Sequence, residues 1–306
     1  MSELHVVLGA TGGIGKAVTA ELTARGREVR AVSRHAEGPH GFRADVTTAE
    51  GAAAACEGAA VVYQCAQPPY ARWATEFVGF TDTVLSAVEK SGARLVMPDN
   101  LYMYGPVDAP LHEELPYAAD FPKGRARAQA AEMVLNAHRE GRVRACLGRA
   151  SDYFGPGGVN TVLGPTIFAA AVAGKTARWL GETDEPHTVA YLPDIAAGLA
   201  TLGEDPKADG YAWHLPVGPP VTGDEFLSLV WQAAGGRPRS AGLGRGMQRL
   251  VAMFNSDVKE LGETWYQRDR SFVVDDTAFR AAFGDVQVTP LDQAIAETVA
   301  WFRQHA

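Results

Sequence analysis

Cysteine is scarce in this chain: Cys56, Cys65 and Cys146 are the only three among 306 residues. An odd number cannot pair completely, and their spacing matches no metal-ligand pattern, so neither a disulfide framework nor a zinc site organises the fold. They read as small buried apolar residues in a reducing compartment. The eight histidines contain no H-x-x-x-H or H-E-x-x-H pair, so no metal is expected. Basic charge is also short, with 28 Lys and Arg against 36 Asp and Glu for a net charge of −8. A nucleic-acid partner needs a basic face, and none is expected here. The one basic run, Arg139 to Arg149, spans a helix end, a turn and a strand start and reads as solvated surface. Long apolar runs are missing as well. Val162 to Gly174 is the longest, and Gly164 and Pro165 interrupt it well short of a bilayer's thickness. Met1-Ser2-Glu3 lacks the basic start of a signal peptide. The expectation is a cytoplasmic chain with no membrane partner.

What is present is a strand-loop-helix opening. Leu4 to Leu8 runs into Gly9-Ala10-Thr11-Gly12-Gly13-Ile14-Gly15, then a helical stretch from Lys16 to Arg25, then Gly26 and a second strand from Glu28 to Ser33. Glycines at every third loop position serve a tight turn, close approach of backbone to a pyrophosphate, and close packing of helix on strand. The N–H groups at the helix start would hold the phosphates. This arrangement points to dinucleotide binding.

Strand and helix patterns alternate onward. Phe42 to Val46 reads as a short strand, and Thr47-Thr48-Ala49-Glu50 as a capping box opening an alanine-rich helix that ends near Gly58. Ala60 to Cys65 reads as a buried strand, and Trp73 to Ser91 as a long helix with Phe77, Phe80, Val84 and Val88 on one stripe. Arg94 to Met97, Gly124 to Glu140 and Val143 to Leu147 continue the series. The alternation implies an α/β fold, a doubly wound parallel (Rossmann) sheet with helices on both faces. Hydrophobic content of 46% and charged content of 21% suit one globular chain, and its length suits one large domain with a smaller one. The expected division is a dinucleotide-binding domain over 1–155 and a smaller C-terminal substrate-binding domain over 156–306. Segment 187–203 is expected to return to the first, and Thr222 to Glu225 is a second capping box. Trp179, Trp213 and Phe254 are candidates to line an apolar substrate pocket, against the plainer reading of core packing.

Together these features resemble the short-chain dehydrogenase/reductase superfamily, in its extended or atypical branch of NAD-dependent epimerase/dehydratase-like proteins. The resemblance is carried by Gly9, Gly12 and Gly15; by Asp45-Val46, similar to the adenine-contacting Asp of the family; and by Val61 to Ala66. Tyr104-Gly105, Arg149 to Pro156 and Tyr191 to Ala196 extend it. It implies cofactor contacts from Gly9, Thr11, Gly12, Gly13, Ile14, Gly15, Ser33, Arg34, Asp45, Val46, Cys65, Ala66 and Gln67. Extended members commonly pair through the two helices matched here by 73–91 and 124–140, which implies a homodimer.

The second strand ends Ala31-Val32-Ser33-Arg34, without the carboxylate that accepts from the ribose hydroxyls of NAD. A guanidinium there suits a ribose phosphate, so NADP is the expected cofactor. The catalytic Y-x-x-x-K of the family is missing. Its place falls in Pro122-Lys123-Gly124-Arg125-Ala126-Arg127-Ala128, where one register aligns the pair with Gly124 and Ala128 and the other with Lys123 and Arg127. Asn100 takes the place of the Ser or Thr after the fifth strand. Candidate catalytic groups are therefore Asn100, Tyr102, Lys123, Arg127 and Asp152, with Tyr102 as proton donor beside a cation that lowers its pKa. The leading expectation is NADP-dependent hydride transfer to or from a small carbonyl, imine or activated double bond. The alternatives are a sugar-nucleotide-type epimerase or dehydratase, and a non-catalytic NADP-binding regulator.

Overall fold

The computed structural model describes residues 3–252, 259–284 and 286–305. Seven strands form one parallel sheet: β1 (Leu4–Leu8), β2 (Glu28–Ser33), β3 (Gly41–Arg43), β4 (Val61–Gln64), β5 (Arg94–Asp99), β6 (Arg144–Arg149) and β10 (Ala212–His214). Their order is β10-β6-β5-β4-β1-β2-β3, and Val6 of β1 sits between Arg30 of β2 and Val62 of β4. The central strands are apolar almost throughout because helices cover both faces of a parallel sheet. Side chains alternate between two cores. Val6, Leu8, Val62 and Leu95 meet helices α2 (Ala49–Cys56), α3 (Trp73–Ser91) and α4 (Pro122–Arg139). Val7, Val29, Tyr63 and Val96 meet α1 (Gly13–Ala24) and α6 (Leu192–Glu204).

Several boundaries differ from the local patterns. The strand after the second loop covers only Gly41–Arg43, and α2 is capped by Thr48, whose hydroxyl accepts from Gly51 N at 3.1 Å. Thr47 instead donates to Asp45, so the capping box does not form there. At Thr222 the box does form, with Thr222 and Glu225 bonded reciprocally. β5 runs on to Asp99, because its register with β6 pairs Asp99 with Arg149.

Helix α6 lies within the segment expected to rejoin the large layer, and β10 beyond it adds an edge strand beside β6. A second lobe gathers around Phe154, Phe168, Trp179, Tyr191, Phe226 and Phe302. It contains α5 (Phe168–Val172), α7 (Gly223–Ala234), the C-terminal helix Leu291–Gln304 and the pairing of β8 (Ala177–Leu180) with Ser240–Leu243. β7 (Tyr153–Phe154) pairs with β9 (Ala190–Tyr191) where the lobes join. Trp179 is core, and Trp213 packs on Phe283 with ring centroids 4.9 Å apart. Phe254 lies outside the described residues. Phe77, Phe80 and Val84 are buried inside the chain, so they supply no apolar outer surface. No helix among the described residues is long and apolar enough to cross a membrane.

Candidate functional site

At the carboxyl edge of the sheet, where the order turns back between β1 and β4, lies a groove of about 770 Å³. Ligands of open α/β sheets bind at such switch points. Three loop glycines serve it in different ways. Gly9 has φ +79°, and a Cβ there would lie 2.6 Å from the Ala66 backbone. At Gly15 a Cβ would fall 2.2 Å from Gly9 O, so helix and strand can approach only without it. Gly12 is different: an added Cβ meets only Gly9 O, at 3.4 Å, an ordinary contact. The chain itself does not forbid a side chain at Gly12. Its bare backbone leaves the start of α1 open toward the groove, and the N-cap has no side-chain hydrogen bond. First-turn N–H groups lack helix partners, so a diphosphate fits this cradle.

Thr11, Ser33, Arg34, Asp45, Val46, Cys65, Ala66 and Gln67 also line the groove. Gly13, Ile14 and Gly15 stand behind the rim, where Gly13 faces Gly157 and Leu192, and Ile14 packs on the core. Asp45 is exposed, and its hydrogen bonds from Thr47 hold the carboxyl below its usual range, with the charge of Arg34 adding to the effect. Burial pushes the Cys65 thiol up to about 12, so it presents a neutral, inert wall. The sequence reading missed the opposite wall, formed by Pro68, Pro69, Arg72 and the first turns of α3. The Pro68-Pro69 pair just before a helix was its one signal; Trp73 Nε1 donates to Pro68 O at 2.9 Å and pins it.

Next along the chain, Tyr70 belongs to a second cluster that gathers the expected reaction residues. Lys123 and Arg127 are both buried on one face of α4, one turn apart. A Cβ at Gly124 would meet Ala119 Cβ at 2.4 Å and the Phe121 ring at 2.8 Å, so a tyrosine has no room there. The register that would place the pair at Lys123 and Arg127 sets two buried cations on this face. The Arg127 guanidinium stacks on Trp73 and Phe77 at 4.3 and 4.1 Å and lies 3.6 Å from Asp99. Burial lowers its pKa, while Asp99 opposes that shift. Lys123 Nζ lies 4.9 Å over the Tyr70 ring and 2.5 Å from Glu260 Oε2.

The remaining candidates occupy fixed roles. Asn100 Oδ1 accepts from Tyr102 N at 3.1 Å and caps the turn Tyr102–Tyr104. Burial pushes the Tyr102 phenol well above its ordinary value, Tyr70 and Asp152 add to the shift, and Arg268 opposes it. The cation expected to lower this phenol's pKa does not prevail. For Asp152 burial acts upward, but Arg268 at 3.0 Å and His187 at 3.3 Å outweigh it and hold the carboxyl at about 2. Asp152 is therefore held as the charged partner of Arg268. Arg268 and Glu260 come from a distant stretch that no local motif marked. Nε of Arg127 is buried here with no hydrogen-bond partner among the described residues.

Groove and cluster lie on a doubly wound α/β fold, the groove at the switch point of the sheet. A family model for the NAD dependent epimerase/dehydratase family matches residues 5–215, and the chain belongs to that family. No curated protein sequence matches it. Among solved structures it is similar to MoeE5 in complex with UDP-glucose and NAD, at 20% identity over 99% of each chain and a TM-score of 0.80. It is also similar to a DesIV double mutant, a dTDP-glucose 4,6-dehydratase from Streptomyces venezuelae with NAD bound. There the identity is 18% over 99% of this chain and 97% of that one, with a TM-score of 0.79. UDP-N-acetylglucosamine 4-epimerase from Bacillus cereus matches at 16% identity over 98% and 96%, with a TM-score of 0.80. At these identities the likeness is one of fold, and it extends over the C-terminal lobe.

Proposed function

We propose that this chain is an enzyme of the sugar-nucleotide epimerase and dehydratase type, with a nicotinamide dinucleotide in the groove and its substrate under the C-terminal lobe. The observation that carries the reading is the groove itself, with an uncapped helix start bared by Gly12 and rimmed by β2, β3 and β4. The family match and the whole-chain likeness to NAD-bound sugar-nucleotide proteins support it. In this reading residues 1–155 with segment 187–203 hold the cofactor, and residues 156–306 shape the substrate site. Gly9, Thr11 and Gly12, with Asp45, Val46, Cys65, Ala66 and Gln67, form the cofactor contacts, and Gly13, Ile14 and Gly15 support them from behind the rim. Ser33 and Arg34, with no acidic residue at the end of β2, favour NADP, although the neighbours' structures carry NAD.

Bound there, the dinucleotide supplies or removes a hydride at a substrate carbon. Asn100 orients the substrate oxygen, and Lys123 and Arg127 add positive charge on the neighbouring face of α4. Tyr102, with its phenol pushed up, is a weaker donor than first expected.

The missing family tyrosine favours a second reading, since transient oxidation of a hydroxyl needs a group that takes its proton. Reduction of a carbonyl, imine or activated double bond by NADPH needs no such base. Incubation with UDP- and dTDP-hexoses plus either cofactor, followed by product separation, tests the first reading. Loss of NADPH absorbance with a carbonyl, imine and enone panel tests the second. If NADPH binds but neither assay shows turnover, a non-catalytic dinucleotide-binding role replaces both. Homodimer formation through the outer faces of α3 and α4 rests on the family resemblance alone, and a monomer in sedimentation at micromolar concentration would reject it.

A further inference from the structure

Lys123 is the least expected charge in the molecule: an ammonium with 2% side-chain exposure, deep under the C-terminal lobe. Two carboxylates reach it from one distant stretch. Glu260 Oε2 lies 2.5 Å from Nζ, and Glu263 Oε1 lies 3.4 Å away. Glu263 Oε2 also accepts from the backbone N of Lys123 at 3.3 Å. Unlike Lys123, both glutamates keep contact with solvent, at 28% and 30% exposure. Their side chains can turn outward into water, where a carboxylate is well solvated. Lys123 has no such route.

The charge balance of the cluster gives this asymmetry its meaning. Among the described residues Lys123, Arg127, Arg149 and Arg268 supply four positive charges, and Asp99, Glu113, Asp152, Glu260 and Glu263 five negative ones. Asp99 and Asp152 are internal, with 0% and 15% exposure, and belong to the frame, and Glu113 faces Arg149. With Glu260 and Glu263 turned out, four of these cations face three carboxylates, an excess of one positive charge in a desolvated site. Such a site draws anionic oxygen. A further donor stands ready, since Arg127 Nε is buried with no hydrogen-bond partner among the described residues.

We propose that Lys123 and Arg127 form a subsite for a carboxylate on the substrate, and that Glu260 and Glu263 occupy it as stand-ins from the same chain. The substrate of the proposed reaction is then a carboxylate-bearing compound, such as a sugar acid, in preference to a neutral sugar. This rests on the reading that the cluster adjoins the cofactor groove. A ligand must compete with the glutamates, so apparent affinity is reduced by the fraction of molecules in which they are turned out.

The test uses calorimetry on the full chain saturated with NADPH, with malonate as probe and malonamide as its neutral match. Malonate should bind at least about tenfold more tightly than malonamide, because the amide brings no charge to the excess positive charge. Glu260→Gln with Glu263→Gln should tighten malonate at least about tenfold by removing the competitors. Lys123→Met should abolish malonate binding. Equal affinity for the two probes, or a double variant that binds malonate no better than the parent chain, overturns the proposal. The probe comparison on the unmodified chain needs no variant to fold. Failure of NADPH itself to bind is a separate result and strikes the functional reading instead.

Discussion

Asp99 and Arg149 face each other across neighbouring strands with Oδ2 3.3 Å from Nε, and neither side chain retains any solvent exposure. Asp99 Oδ1 also lies 3.6 Å from Arg127 Nε, so one carboxylate serves two buried guanidinium groups. Removing one member of a buried ion pair leaves an uncompensated charge and costs about 3–5 kcal/mol. Asp99→Asn should lower unfolding stability by that order in urea titrations. A loss below about 1 kcal/mol would show that the guanidinium groups find other partners, and the shared role would fall.

The loop glycines should separate folding from binding. Gly15→Ala places a Cβ where Gly9 O lies 2.2 Å away, so it should destabilise the chain by about 1–3 kcal/mol. Gly12→Ala has room inside the protein and should cost about 1 kcal/mol or less, the usual penalty for alanine at an N-cap. Its effect should fall instead on dinucleotide affinity, with a loss of at least about tenfold. Thermal melts alongside cofactor titrations read both quantities. Undiminished affinity in Gly12→Ala would remove the cradle argument.

In the proposed reading, cofactor choice turns on the exposed guanidinium of Arg34, just beyond β2. A charge-assisted hydrogen bond contributes about 1.5–3 kcal/mol, so NADPH should bind at least about tenfold more tightly than NADH. Arg34→Asp should narrow or invert that preference. Calorimetry giving equal affinities in the unmodified chain would assign the site to NAD, the cofactor named for the similar structures.

Acid sensitivity should trace to His214. Its Nδ1 donates to Asp275 O at 3.0 Å, which leaves Nε2 to accept from the Tyr104 hydroxyl at 2.8 Å. Arg149 Nη1 in turn donates to that hydroxyl at 2.6 Å. Burial, and then the charge of Arg149, lower the His214 pKa to about 4 from its ordinary 6.5. Between those values the unfolded chain binds a proton that the folded chain refuses. Stability from this group is therefore full above pH 6.5 and falls toward pH 4, at up to about 1.4 kcal/mol per pH unit. His214→Gln should flatten that stretch of a stability-against-pH curve. An unchanged slope would place the proton uptake elsewhere.

Much of this protein is written locally. The strand Leu4–Leu8, the glycine loop and the strand Glu28–Ser33 follow from apolar runs and glycine spacing, and α3 begins and ends where its stripe predicts. These features depend on neighbours a few residues away, which the order of residues states directly. The end of β5 was less legible, because only pairing with β6 extends it to Asp99. The capping box read at Thr47 failed for a similar reason, since Thr47 is bonded back to Asp45 and the helix starts one residue later.

The sequence by itself determined the alternation of strands and helices that builds a doubly wound sheet, because apolar runs and loop glycines are short-range properties. Only the tertiary structure shows the space behind Gly124 filled by Ala119 and Phe121. Only it brought Glu260 and Glu263 onto Lys123, and Arg268 onto Asp152, from more than a hundred residues away. Charges separated by that much chain meet only when two cores pack together, and no periodicity records which of them will.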